Sequence, residues 1–576
     1  MIDAKETVVS ISIQHRRSAN RTLRIVCPNG HLGFAPIKTG SFAVGLTCEP
    51  DLICADSGSC DIGPGPLGAD VSSSPLAWQT HDLEQMLLGA RRLGVPMIIG
   101  SAGDTGTNSR VDLFVRIIQE LARKHGLPKF RLGWFHSEVP SALIAARMAA
   151  GEAIEGLDGR AALDPATLAA TDRVVAVAGV HPFLALLEQG ADVIIGGRSS
   201  DCAIFAAPAL RAGFPEGLAY FYGKVLECAS FCAEPYAGKE SVLGEITMED
   251  VKVTALLAEQ RCTIASVAGH AMYERTNPYY EHFLGGHLDM SECVYEQYDE
   301  RTCRITGPRF VPAAELRVKL EGAGKLGERF VGMVGVRDPY TIANIDAVIA
   351  WARAQARERF GESGYELHYT VYGRDGVMGA LEPLRDQPGH ELCIVVQSVA
   401  PTRGMAEEVC MIGLRQMFYA RLPNVKGTAG GVAFALDEVL AASPAYRWTL
   451  NHTMRVDDPD GAVFDRAGGG GRVKRLSELA KTIRSKNAGV DRITFDVIFV
   501  DRTSYELVCR SGALSREALC RIFRIDPERI TDHVQFDPAL AIKFTISRGV
   551  PSGSPGDGDI FGSQQYGPLL DVEVAD

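Results

Sequence analysis

The run Pro96-Met97-Ile98-Ile99-Gly100-Ser101-Ala102-Gly103-Asp104-Thr105-Gly106-Thr107 decides the fold. It opens with a short unbroken apolar stretch of strand length, the pattern of a strand covered on both faces. A turn rich in glycine and serine follows, and Val111–His125 then repeats its apolar residues at helical spacing. The same unit recurs on either side. Thr22–Cys27, Leu52–Ala55, Arg131–Phe135, Arg173–Ala178 and Ala191–Ile195 read as strands; His81–Leu93, Ser141–Gly151 and His181–Gln189 read as helices. Gly94, Gly126, Gly151 and Gly190 close four of the helical stretches, as left-handed C-terminal residues commonly do. Strand–helix alternation of this kind predicts an α/β fold with a doubly wound, mostly parallel sheet over residues 1–240.

Further along, the pattern is mixed. Arg301–Ile305, Arg317–Leu320 and Leu392–Val399 read as strands, Ile342–Phe360 and Ala406–Leu422 as helices, so residues 241–456 form a second α/β or α+β lobe. Residues 457–475, with four consecutive glycines at Gly468-Gly469-Gly470-Gly471, read as a linker. Residues 476–576 are long enough to fold alone as a small C-terminal α+β module.

Composition narrows the function classes. The 576 residues carry 59 Lys and Arg against 71 Asp and Glu, a net charge of −12, which argues against a nucleic-acid partner but leaves room for a local anion pocket. No apolar run approaches a membrane span, and Met1–Asn20 has no apolar core of the secretory kind. Many of the 14 cysteines lie in apolar runs, and Cys228 and Cys232 are too far apart for a CxxC pair. A reduced, cytoplasmic protein without a zinc ribbon is expected.

In open parallel sheets, ligands bind beyond the carboxyl ends of the strands. There the chain carries Asp56-Ser57-Gly58-Ser59-Cys60-Asp61, the Gly100–Thr107 turn, His136-Ser137-Glu138 and Gly197-Arg198-Ser199-Ser200-Asp201. Asp56 is the natural base at a rigid strand end, with Asp61 close in sequence; the alternative is that both cap turns. Gly100, Gly103 and Gly106 form GxxGxxG, neither a dinucleotide fingerprint nor a P-loop, though amides there, Ser101 included, are candidate anion donors. Arg198 is a candidate carboxylate clamp, or else a partner of Asp201 within its own loop. Lys224 and Glu227 stand three apart on a helix, as a surface pair would. Ser266, His270 and Tyr273 share a helical face, which makes His270 a second candidate base. In the last module Arg484, Lys486, Asn487 and Lys543 supply donors, with the Ser552–Asp559 loop nearby.

Taken together, Pro28-Asn29-Gly30, Asp56–Pro64, Gly100–Gly103, Ala191–Asp201, Gly223–Cys228, Arg261–Glu274, Lys319-Leu320-Glu321-Gly322 and Gly335-Val336-Arg337-Asp338-Pro339 resemble the acyclic terpene utilisation (AtuA-type) family. Arg484–Gly489 and Asp537–Gln565 resemble the small uncharacterised domain that often accompanies it as a separate gene. One departure is that Thr80-His81 stands before Asp82, where the resemblance leads one to expect a basic residue.

The resemblance implies a fusion of two partners in the catabolism of branched or polycarboxylic acids. The expected activity is a hydratase or lyase acting on an unsaturated or hydroxylated di- or tricarboxylate, or on its acyl-CoA thioester. Asp56 or His270 would be the base, Arg198 the clamp, the Gly100–Gly106 amides the donors, and Ser59, Ser200, Asp201 and Lys224 further contacts. An isomerase or thioester hydrolase is the alternative within enzymes; a non-catalytic acyl-CoA-binding or scaffold subunit is the alternative outside them. No organic cofactor or structural zinc is expected, a divalent cation stays open, and CoA would enter only with the substrate. The partners expected are a small anionic substrate and further copies of the chain in a homo-oligomer, with neither nucleic acid nor membrane. The C-terminal module is expected to complete an interdomain or intersubunit site.

Overall fold

A computed structural model describes residues 21–273, 277–423, 430–434, 436, 438–456, 466–467, 474–488, 491–548, 559, 562–563, 565–570 and 572–574. Its first sheet has a parallel centre in which Leu23–Cys27, Leu52–Gly58, Met97–Asp104, Val193–Gly196 and Leu132–Phe135 lie side by side in that order. Alternate residues of each strand feed two cores. Ile25, Leu52, Cys54, Ile98 and Ile194 pack under the helices His181–Glu188, Asp201–Arg211 and Glu216–Leu226. Val26, Ile53, Met97, Ile99 and Val193 pack under Thr39–Thr47, Leu76–Leu93 and Asn108–Lys124. Both faces are therefore covered, which is why the strands read as continuous apolar runs. The fold is α/β and doubly wound, as the alternation predicts.

Two differences bear on the site. The sheet does not stop at residue 240: Val242–Ile246, Val251–Ala255, Thr302–Thr306 and Val294–Gln297 add to it as an antiparallel wing beyond Leu23–Cys27. A division there falls between strands of one sheet. Secondly, Arg173–Ala176 leaves the parallel sheet and pairs antiparallel with Arg317–Val336, with Glu321 opposite Val175. A run apolar on both faces suits either sheet, so its composition does not choose between them.

Arg317–Val336 is the spine of the second sheet, flanked by Leu440–Arg455 and Leu392–Ala400 and covered by the helices Ile345–Phe360 and Arg403–Tyr419. The chain divides into two compact units, Met1–Gly468 and Gly469–Asp576. The second is an α+β module with its own core. Its four-stranded antiparallel sheet runs Ala480–Asn487, Arg492–Phe499, Ala541–Ser547, Ile530–Phe536, and Phe495 stacks on Phe544 at 4.6 Å between ring centres. Much of the linker and the Ser552–Asp559 loop lie outside the described residues. Among the described residues no helix is long and apolar enough to cross a membrane. All 14 cysteines lie among the described residues, and none of them is in a disulfide.

Candidate functional site

Because the five central strands run in parallel, their carboxyl ends and the loops that follow share one edge. Asp56 lies near the end of Leu52–Gly58, in register with Gly100 of the next strand. Its carboxyl group is buried; Oδ2 accepts from the Gly58 amide at 3.1 Å, and among the described residues Oδ1 has no hydrogen-bond partner. Gly100 is glycine for a reason of space, since a Cβ there would stand 2.4 Å from Ile204 Cδ1 and 2.7 Å from Ser199 Oγ. The bare position lets the start of the helix Asp201–Arg211 close on the strand ends beside Asp56.

Asp56 and Asp201 feel each other's charge. Burial and the Asp201 carboxylate push the Asp56 carboxyl well above the usual range, against the pull of Arg198. Burial likewise carries Asp201 up to about 7; Arg198 opposes the shift, and Glu227 and Glu321 add to it. Asp201 is the open member, its side chain 30% exposed, and the water on that side screens the effect, so about 7 is the upper end of its range. Two coupled carboxyls of this kind titrate as a unit, and both are drawn upward from the ordinary carboxylate range. That is an acid/base pair poised at the working pH of a cell.

Arg198 is buried beside the pair, but its donors are committed. Nε donates to Glu321 Oε2 at 2.9 Å and Nη2 to Oε1 at 3.4 Å. Nη1 serves Ser199 O at 3.0 Å, Ser101 Oγ at 3.1 Å and Asp201 Oδ1 at 3.4 Å. The clamp expected of Arg198 is thus closed on the chain's own Glu321, brought over by the second sheet. Burial works to raise the Glu321 carboxyl, but Arg198 and Lys319, whose Nζ stands 2.9 Å from Oε1, hold it down at about 2. A narrow cleft bounded by Ser59, Cys60, Thr105, Arg198, Glu321 and Trp448 opens at this flank.

On the other flank Lys224 and Glu227 form an ion pair that is buried, not on the surface as their spacing suggests. The Glu227 charge reaches Asp201 and Cys228. His270 stands behind this pair, with Nε2 at 2.7 Å from the Glu227 carbonyl oxygen, and Ser266 is spent in a capping box with Thr263. His270 therefore supports the Glu227 segment through its Nε2. Asp61 is exposed, and its amide donates to Ser59 Oγ, the cap of a short turn. It is a turn residue, not a partner of Asp56.

The Gly100–Thr107 turn proves to be packed and not an open cradle. The Ser101 amide donates to Gly197 O at 3.1 Å and the Gly106 amide to Ala102 O at 3.0 Å. Gly103 has φ 63°, and a Cβ on it would stand 2.9 Å from Arg110 Cβ; a Cβ on Gly106 would lie 2.1 Å from the Arg198 amide. The N-terminus of the following helix is occupied by Glu138, which accepts from the Asn108 amide at 2.9 Å. Ser200 precedes the Asp201 helix, and its amide donates to Ala178 O at 2.8 Å. At the family departure, Asp82 accepts from the Gly33 and Ile37 amides at 2.9 and 2.8 Å, so that position organises a loop of the protein itself.

In the C-terminal module Arg484, Asp496 and Lys543 are cross-strand neighbours, and both basic groups are paired with Asp496 at 2.8 and 2.6 Å. Asn487 Oδ1 accepts from Arg548 Nη2 at 2.8 Å, and Lys486 is exposed on the edge strand. These residues make a surface ladder on one sheet face. A cavity of about 240 Å³ in this module is bordered by Arg516 and His533, which are turned to the carbonyls of Ile530 and Leu514. Among the described residues no group of three or more His, Cys, Asp or Glu is arranged to hold a metal ion.

Glu321 is the component that reading by residue missed; it was visible only inside a family stretch, 123 residues from Arg198. Comparison with curated proteins and with solved structures returned no match. Residues 476–573 match a domain of unknown function, DUF4387. Residues 23–449, well over half of the chain and all of the residues around Asp56 and Asp201, match the acyclic terpene utilisation family protein AtuA, and the chain belongs to that family.

Proposed function

We propose that the protein is an acid/base enzyme of carboxylic-acid catabolism, a hydro-lyase acting on a small unsaturated or hydroxylated carboxylate or its acyl-CoA thioester. The family's description, utilisation of acyclic terpenes, supports a catabolic role. The observation that carries the chemistry is the coupled, buried Asp56–Asp201 pair, with Asp56 Oδ1 unpartnered among the described residues. Adding water across a double bond conjugated to a carboxyl group, or removing it, requires a proton to leave or join the carbon next to that group. Asp201, near 7 and open to the surface, exchanges that proton with solvent; Asp56, buried and with its carboxyl pushed upward, is the second acid/base group. Arg198 and Glu321 keep the pair in place from behind.

Solvent-deuterium exchange tests this without deciding between hydration and isomerisation. The full chain is incubated in deuterated buffer with unsaturated di- and tricarboxylates and their CoA esters, and exchange next to the carboxyl or thioester carbon is followed by NMR. The expected result is exchange by the native chain and a loss of at least about 100-fold in Asp56→Asn and Asp201→Asn, the scale of a general acid/base. Tight binding with no exchange would overturn the reading in favour of a carrier or scaffold.

A further inference from the structure

With Arg198 closed on Glu321, the site needs another cation to receive an anionic substrate. Around Asp56 the carboxylates of Asp201, Glu227 and Glu321 are already paired with Arg198, Lys224 and Lys319. One further lysine is at hand. Lys239 stands in a bend just ahead of Val242–Ile246, whose first residue pairs with Cys27 at the carboxyl end of the first parallel strand. That places it at the site edge.

The bend is fixed. Ser41 Oγ donates to Glu240 Oε2 at 2.6 Å and accepts from the Ser241 amide at 3.0 Å, while Ser241 Oγ donates to Pro28 O at 3.3 Å. The Lys239 ammonium lies 4.7 Å over the ring of Phe34. Among the described residues it has no carboxylate or carbonyl partner. The loop that carries Phe34 is held just as firmly: Asn29 Nδ2 donates to Ala35 O at 2.5 Å, and the Leu32 amide donates to Asp56 O at 3.0 Å. Gly30 lets this loop rest on the Glu227 segment, since a Cβ there would stand 2.6 Å from Cys228 Cα. Lys239, Cys228 and Asp56 thus share one neighbourhood: Asp56 acts on both Lys239 and Cys228, and those two act on each other. Burial lowers the Lys239 ammonium's pKa, and the acidic groups around it work to raise it again, as for a cation kept for a partner that comes and goes.

Resting on the acid/base reading above, we propose that Lys239, steadied on the face of Phe34, binds the substrate's carboxylate beside Asp56. A lysine suits this place, being a point charge on a flexible stem that follows its anion. The aromatic face stabilises the cation while the site is empty, without neutralising it as a carboxylate would.

The test uses binding, so that it stands apart from proton transfer. Lysine acetylation of the full chain is mapped by mass spectrometry with succinate present, and again with the neutral isostere succinamide, at fixed ionic strength. Succinate is expected to slow labelling of Lys239 selectively, and succinamide to leave it unchanged. Lys239→Met should weaken succinate binding, read by calorimetry, by about tenfold or more, and Lys239→Arg should restore part of it, with thermal melts confirming folding. Unchanged labelling under succinate, or native affinity in Lys239→Met, overturns the proposal. Asp56→Asn separates the two readings: succinate should still protect Lys239 in that variant while deuterium exchange is lost. Protection without exchange in the native chain would sink the acid/base reading alone.

Discussion

Asp201→Asn should stabilise the protein, and only above acid pH. The Asp201 carboxyl sits at about 7 against an ordinary 3.8, a displacement of about three units. At 1.36 kcal/mol per unit, the ionised form carries about 4 kcal/mol of unfavourable interaction in the folded chain. Water on its open side screens part of this. Losing a negative charge in the first turn of Asp201–Arg211 gives back about 0.3–1 kcal/mol, so the net gain for asparagine is roughly 2–3 kcal/mol. Asparagine keeps an oxygen to accept from Arg198 Nη1. Between the two pKa values the folded chain holds a proton that the unfolded chain has released, so native stability falls as pH rises from about 4 through about 7. The variant lacks that slope. For a unit of 468 residues at about 2.1 cal/mol/K each, the unfolding entropy is near 1 kcal/mol/K, so the gain appears as a Tm rise of roughly 2–3 °C above pH 7. Scanning calorimetry across the pH range measures it. A Tm difference that is flat with pH, or that grows toward acid, refutes the reasoning.

Glu321→Gln leaves Arg198 buried without its counter-charge and should cost about 3–5 kcal/mol in urea unfolding, with the slope unchanged. In the native chain the stability lent by this carboxylate is complete above its ordinary 4.5 and drains away as pH falls toward about 2; acid unfolding of the variant should lack that component. Residues 474–574 expressed alone should show one cooperative thermal transition, since Phe495, Val497, Phe544 and Leu519 make a core within the module; a melt without a transition would contradict it.

The parallel sheet was legible because its strands are apolar on both faces and four of the helical stretches between them end at a glycine. Asp56, Arg198 and Asp201 were legible as well, since strand ends in such a sheet are where ligand groups stand. The long strand Arg317–Val336 was read only as far as Leu320. Gly322, Gly324, Gly327, Gly332 and Gly335 look like loop residues, yet a Cβ on Gly324 would lie 2.0 Å from Ala170 O and one on Gly327 2.4 Å from Ala400 O. They mark close backbone approach within a sheet, and local pattern cannot tell that from a turn. His270 and the Gly100–Thr107 turn went the other way: their spacing suited a site, but His270 Nε2 meets the Glu227 carbonyl, and the Ser101 and Gly106 amides meet carbonyls of the chain.

What distinguishes the Asp56–Asp201 pair from these is that the structure gains nothing from it. A buried carboxyl ordinarily repays its burial with hydrogen bonds, as Asp82 does with two amides and Asp104 with the amide and hydroxyl of Ser74. Asp56 meets only the backbone amides of Ser57 and Gly58 in its own turn, and among the described residues Oδ1 has no hydrogen-bond partner. Asp201 lends Arg198 only a long contact, and Glu321 already neutralises that arginine. Replacing both aspartates by asparagine would relieve their repulsion at little structural cost, so folding alone gives no reason for carboxyls here. Groups that cost stability and hold pKa values near neutrality cluster where protons are transferred. On the proposed reading the reason for this pair lies in a ligand, and Lys239 on the same edge, which among the described residues meets only the Phe34 ring, fits a ligand with a negative charge.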